Sequence, residues 1–334
     1  MSSWLRNSAL ALLLGAAPAW AADDDAIVIK AVRDPVDKSY RKMVKGMDLF
    51  EEKRALAPKA TLRYKLLPRK RDTDMRDILV QIVGDSVLIP VNVAADRTFT
   101  LPRDGKALRE DASVRSDRRA DTMTWRADVR TPGLGADVRR LGDLRLECLV
   151  GVEAGLISQY PSFIDRLVNF LADFCNQGDV APYLFFAERP LLGVTMEAGE
   201  RRQVLSVGHL YAGIPHGRTP KEIRRYCDCE VLLDRAYLLP LGDRSWPDDT
   251  RVSFEYMDAA PANGPYAMFT GSSKADVRAA FGEGTAIRFD NGYEVWSYDF
   301  GPPQKPRHLR DELVVLFSPS GVVSNTRLRP APAR

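Results

Sequence analysis

Apolar residues return at helical spacing early in the chain. Val36, Tyr40, Met43, Met47 and Phe50 recur every three or four positions, which predicts one amphipathic helix over residues 35–55. Asp34-Pro35 supplies its cap and first turn, and Pro58 stops it. Before this helix, Ala26 to Ile29 reads as a short strand. From Ala60 to about Val150 the period falls to two. Leu62, Tyr64 and Leu66 form one alternating face; Val87, Ile89, Val91 and Val93 another; Phe99 and Leu101 a third; and Met123, Trp125, Ala127 and Val129 a fourth. Turn signals at Gly84-Asp85, Arg103-Asp104-Gly105 and Pro132-Gly133 separate them, so this stretch predicts a small antiparallel sandwich. Leu144, Leu146, Cys148 and Val150 alternate with Asp143, Arg145 and Glu147, the pattern of a half-buried strand.

Beyond residue 150 the pattern is mixed. Ser162 and Asp165 match a capping box ahead of a helix whose apolar stripe is Phe163, Leu167, Phe170, Leu171 and Phe174. Strands are expected at Tyr183–Ala187, Leu191–Met196, Gln203–Val207, Val231–Leu239 and Val252–Tyr256, with a short helical turn at 219–226. A proline-rich and small-residue linker, Ala259 to Pro265, divides this region from a compact tail. There Ser273 caps a helix with Asp276 as its box partner, Val277, Ala280 and Phe281 face inward, and Gly282 ends it. Strands follow at Ala286–Phe289, Glu294–Phe300 and Glu312–Phe317, and a fourth candidate covers Val322–Leu328. The fold class expected is α+β and β-rich: a sandwich-like N-terminal region with added helices, then a helix packed on a three-stranded antiparallel sheet.

The first 21 residues carry an export pattern: Arg6, an apolar run from Ala9 to Gly15, and the small-x-small site Ala19-Trp20-Ala21. The run is too short to span a bilayer, which takes about 20 apolar residues. Position 22 is alanine and the first cysteine is Cys148, so no lipid-acceptor cysteine follows the expected cleavage. The chain from Ala22 suffices for two or three domains, divided as 22–260 (with a subdivision near 150) and 262–330. Lys plus Arg total 48 against 45 for Asp plus Glu, a balance that gives no reason to expect nucleic acid. Arg69-Lys70-Arg71 is diluted by Asp72, Asp74 and Asp77 and reads as a solvated loop.

An exported chain with Cys148, Cys175, Cys227 and Cys229 is expected to hold two disulfides. If 227–229 is extended, its two β-carbons lie roughly 6.5 Å apart, beyond the 3.5–4.5 Å a disulfide wants. The expected pairing therefore joins Cys148 and Cys175 each to one of Cys227 and Cys229, and only a tight turn would pair 227 with 229. A redox pair or metal site is the rival reading. His209, His216 and His308 stand singly without ligand spacing, so no metal or cofactor is expected.

The tail resembles the SmpA/OmlA, or BamE-like, envelope domains. Gly271 to Val277, the Phe281-Gly282 helix end, Trp296-Ser297-Tyr298, Leu313 to Phe317 and Gly321-Val322-Val323 carry the likeness over about 60 of the 334 residues. The resemblance implies a protein-binding or scaffold module of the bacterial envelope with Trp296 and Tyr298 as aromatic anchors. Family members are typically short lipoproteins with two helices before the sheet; here there is one, and no lipid-bearing cysteine. Ile78 to Pro102 bears a fainter resemblance to carboxypeptidase regulatory-like and transthyretin-like β-sandwich modules.

An envelope hydrolase is the alternative. The chain has no Gly-x-Ser-x-Gly elbow and no His-Glu-x-x-His. Gly282-Glu283-Gly284 is a helix stop, and Asp248-Asp249 beside Trp246-Pro247 reads as a turn. His216 in the Gly213–Arg218 loop is where a hydrolytic site would be sought. The balance of the sequence favours a secreted or periplasmic, non-enzymatic binding or scaffold protein with an envelope protein as partner.

Overall fold

The structure, a computed structural model, describes residues 32–70, 72–157, 175–176, 183–212, 230–261, 264–300 and 310–329. It is β-rich with helices interspersed among several antiparallel sheets. The expected export segment, the strand at 26–29, the helix behind Ser162, the turn at 219–226, Cys227, Cys229 and the Gly213–Arg218 loop with His216 lie outside the described residues.

The chain enters through β1 (Pro35–Ser39), α1 (Tyr40–Glu52), β2 (Thr61–Pro68), β3 (Val80–Val83), β4 (Leu88–Val91), β5 (Thr98–Phe99), α2 (Gly105–Arg109), β6 (Ser113–Arg119) and β7 (Met123–Arg130). The order β1-β6-β3-β4 makes one sheet and β5-β2-β7 a second, and one hydrophobic cluster takes residues from both and from α1. The helix expected from residue 35 begins only at Tyr40. Asp34 has a positive φ of 53°, Pro35 opens the edge strand β1, where its missing N–H costs nothing, and Ser39 is the cap that accepts from Lys42 N–H. Arg103-Asp104-Gly105 is a helix start, since the Asp104 carboxylate accepts Ala107 N–H at 2.8 Å.

The middle of the chain holds β8 (Val138–Arg140), α3 (Leu141–Glu153), β9 (Phe185–Phe186), β10 (Leu191–Ala198), β11 (Arg201–Val204), β12 (Ala236–Tyr237) and β13 (Arg251–Tyr256). The strand expected at 144–150 is helix α3, and it is buried on nearly every side. Leu146 and Val150, four apart, join the N-terminal cluster, whereas Leu141, Leu144 and Cys148 join the cluster of the middle region. Two buried faces of one helix thus produce an alternation that imitates a strand. Gly46 lets α1 cross α3 closely: a β-carbon there would stand 2.8 Å from Ala154 Cβ. The strand expected at 231–239 is a 3-10 stretch, Glu230–Arg235, followed by the two residues of β12, which pair with β9.

Cys148 is bonded to Cys175. This corrects the expected pairing of each with Cys227 or Cys229. That expectation assumed Cys148 on a strand; on α3 it is fully buried and points into the cluster that also takes in Cys175.

The C-terminal block is α4 (Lys274–Phe281) and the meander β14 (Thr285–Arg288), β15 (Glu294–Phe300), β16 (Asp311–Phe317) and β17 (Val323–Arg329). The sheet has four strands instead of three. Ser273 and Asp276 form the expected capping box, and Gly282 ends the helix at φ 77°, a conformation that suits glycine. One sheet face, with Trp296, Tyr298, Leu313, Val315 and Phe317, packs with Val277 of α4. The other, with Ile287, Val295, Val314 and Leu316, completes the core of the middle region. Among the described residues no helix is long and apolar enough to cross a membrane.

Candidate functional site

The two residues expected to serve as aromatic anchors sit side by side on β15, pointing to the α4 side of the sheet. Both are buried: Trp296 is 4% exposed and Tyr298 6%. Alternation on β15 places them on the face that α4 covers, so neither presents a surface to a partner. The Trp296 indole N–H donates to Glu294 at 2.6 Å, its ring meets Phe317 at 4.8 Å, and the Arg278 guanidinium lies 5.2 Å from its centroid. Burial raises the Tyr298 hydroxyl above its ordinary pKa, with Glu283 adding to the effect.

Glu294 anchors this side of the sheet. Burial alone would raise its carboxyl, but the Lys274 ammonium, the Trp296 N–H and the Arg288 guanidinium outweigh it and hold the group below the usual range. The charge therefore ties the first turn of α4 to β15.

What does reach the surface is an aromatic edge around Phe281, the last residue of α4. Its ring meets Phe269 at 4.9 Å, Tyr298 at 5.5 Å, Tyr266 at 5.8 Å and Phe300 at 6.5 Å. Tyr266, Phe269, Phe281 and Phe300 are each only partly buried. Between Tyr266 and Phe269 the chain makes a 3-10 turn, Ala267–Phe269, and on it Met268 stands 80% exposed. The turn is not a loose loop. Phe269 N–H donates to Tyr266 O and Thr270 N–H to Ala267 O, and Gly271 N–H reaches Val323 O at 2.8 Å, fixing the turn to β17. Val322, 37% exposed, flanks it through a bridge to Ser273.

Tyr266, Met268 and Phe269 do not stand out in the sequence because they directly follow the proline-rich linker and are too few to show a period. The available signal was three large apolar residues in four positions immediately before a capping box. Phe281 was expected to face inward with Val277 and Ala280; Val277 does, Phe281 is half-buried and Ala280 is exposed.

Elsewhere, Asp248 accepts a hydrogen bond from Arg145, and Thr250 N–H donates to Pro247 O, so the acidic pair belongs to a turn. Lys70 pairs with Asp121 at 2.5 Å, and the Arg69 guanidinium donates to Met123 O. His209 Nδ1 shares a hydrogen bond with Ser206 Oγ at 3.0 Å. Among the described residues no group of three His, Cys, Asp or Glu side chains is placed to hold a metal ion. Comparison with family models, curated proteins and solved structures finds no match for this chain.

Proposed function

We propose that the chain is an exported binding or scaffold protein of the bacterial cell envelope, working through protein–protein contact without catalysing a reaction, and that its contact surface is the Tyr266–Phe269 turn with the edges of Phe281 and Phe300. The observation that carries this is Met268, a large apolar side chain held four-fifths exposed on a turn whose backbone is fixed to the sheet. Keeping such a residue in water is unfavourable by about 25 cal/mol per Å² of apolar area. Met and aromatic residues are among the types enriched where proteins meet. The α4-on-sheet arrangement supports placing this part beside the SmpA/OmlA-like modules. The buried Cys148–Cys175 disulfide supports an oxidising compartment outside the cytoplasm, in line with the export pattern of residues 1–21.

A photo-reactive amino acid placed at Met268 in the full-length chain, expressed in its host, tests the reading. Irradiation is expected to yield one discrete protein adduct that is absent when the same group replaces Leu134, an exposed apolar residue in the N-terminal half. No adduct at 268, or the same adducts from both positions, would overturn it. Processing is read separately, from an intact mass that begins at Ala22.

A further inference from the structure

In the pairing of β2 with β7, Lys65 stands directly opposite Arg126. Residues so placed on an antiparallel pair repel when their charges are alike. Lys65 is neutralised, with its ammonium 3.2 Å from Glu188. Arg126 is not. It is 9% exposed, and among the described residues no carboxylate forms an ion pair with it. Its guanidinium donates to Leu184 O at 3.1 Å and lies 5.1 Å from the Phe186 ring centroid and 5.8 Å from that of Tyr183. A carbonyl and two ring faces stabilise a cation but do not cancel its charge. Arginine also cannot escape by losing its proton, as a buried lysine can.

Beside Arg126 opens a cavity of about 40 Å³, lined by four cations, Lys65, Arg126, Arg130 and Arg139, and three carboxylates, Asp128, Glu147 and Glu188. The carboxylates are all engaged by the other cations. Arg130 reaches Asp128 and Glu188, each at 2.7 Å, and Arg139 reaches Glu147 at 2.7 Å. Among the described residues one positive charge is left over, and it is the one on Arg126. A second orphan points the same way: among the described residues the buried Arg139 Nε has no hydrogen-bond partner. The aromatic wall is Tyr183, Phe185 and Phe186. Burial pushes the Tyr183 hydroxyl up to about 12, so it remains a hydrogen-bond donor at neutral pH.

We propose that this cavity is a ligand site for a small monocarboxylate, whose oxygens take the Arg126 guanidinium beside the Tyr183 hydroxyl and whose short apolar tail lies against Phe186. Size and charge choose the class. A water needs roughly 10–15 Å³ of such space, so the cavity holds about three waters, or one planar carboxylate with a carbon or two behind it. A single negative charge balances Arg126, whereas a dianion would leave one charge buried and unmatched. Carboxylates also match the guanidinium fork with two parallel hydrogen bonds. The site is separate from the Met268 face and stands or falls independently of it.

Calorimetric titration of the full-length chain with acetate and with propionate, at ionic strength held constant with chloride, tests the site. A saturable one-to-one isotherm is expected for the carboxylates and none for chloride or sulfate. Arg126→Met should weaken binding at least tenfold, and its ligand-free unfolding midpoint should stay level or rise, because the variant removes an unmatched buried charge. Arg109→Met, at an exposed position, should bind as the parent does. No saturable carboxylate isotherm in the parent, an Arg126→Met variant that binds as tightly, or a lowered ligand-free midpoint would each overturn the proposal, the last by showing that Arg126 is a structural clamp. Should Arg126→Met fail to fold, Arg126→Lys keeps the charge but not the fork, and a weakening of less than threefold would count against the site.

Discussion

The carboxylate of Glu312, on β16, accepts the backbone N–H of Val207 at 2.9 Å across a sequence separation of 105 residues. The same oxygen takes the Arg329 guanidinium at 3.1 Å, and both side chains of the pair are no more than 5% exposed. One buried charge therefore fastens the C-terminal sheet to the middle region. Replacing Glu312 by Leu removes the carboxylate from a buried guanidinium, which keeps its hydrogen bond to Arg310 O, and leaves the Val207 N–H without this acceptor, and should cost roughly 3–5 kcal/mol. Glu312→Gln keeps an oxygen for both donors and should cost much less. Urea unfolding of the two variants at one pH checks the order, and equal losses would mean that the carboxylate does not act as the tether.

Glu294 should make the C-terminal block sensitive to acid. Its folded pKa is lowered, so its contribution to stability is complete above the unfolded value near 4.5 and is lost as pH falls through the lower folded value. Glu294→Gln cannot be protonated and should remove this part of the pH dependence. The expected result is a parent whose urea midpoint falls more steeply than the variant's below pH 4.5, followed by tryptophan fluorescence, since Trp296 donates to the same carboxylate. Parallel profiles would show that the loss of stability in acid lies elsewhere.

The Cys148–Cys175 disulfide closes a loop with a sequence separation of 27. In the chain-entropy account such a loop contributes about 3.5 kcal/mol by restricting the unfolded chain. Reductant in the unfolding buffer should lower stability by roughly that amount. Oxidised Cys227→Ser/Cys229→Ser protein should still lose this increment when reduced; if it loses none, Cys148 and Cys175 are not each other's partner.

How much of this could be read from the sequence follows from where each element buries its side chains. α4 was legible because its cap, box and glycine stop are local chemistry, β2, β7 and β13 because their apolar and polar residues alternate, and β10 because it is a short, nearly continuous apolar run. α1 was legible in kind but not in its start, because Pro35 suits the edge of a sheet as well as the first turn of a helix. α3 was illegible for a specific reason. Asp143, Arg145 and Glu147 are charged yet buried, so the polar half of the pattern did not mark solvent. Each has its own partner: Asp143 accepts Thr131 N–H and hydroxyl, Glu147 takes Arg139 and Val129 N–H, and Arg145 reaches a distant turn. The direction in which Trp296 and Tyr298 face was not legible either, since a strand covered on both sides gives no sign of which aromatic rings reach water. Arg126 was hidden similarly, because a lone arginine in an alternating strand looks solvated until Phe186 is seen beside it.

Arg145 offers the sharpest test of that central helix. At 5% exposure its guanidinium donates to Leu241 O at 3.0 Å, Trp246 O at 3.0 Å and Asp243 O at 2.8 Å, and pairs with Asp248 at 2.5 Å. Four acceptors spread across residues 241–248 thus converge on one planar group carried by α3. The approach is tight next door as well: a β-carbon on Gly142 would stand 2.0 Å from Leu56 O. Lysine brings three donors on one nitrogen and cannot span four acceptors arranged around a fork. Arg145→Lys should therefore cost about 2 kcal/mol, and Arg145→Met, which leaves several buried acceptors unpaired, roughly 3–5 kcal/mol. Because the turn leads directly into β13, hydrogen exchange at Arg251–Tyr256 should quicken in both variants, while β3 and β6 stay protected. If Arg145→Lys matches the parent in stability and exchange, the charge suffices and the four-point geometry is incidental.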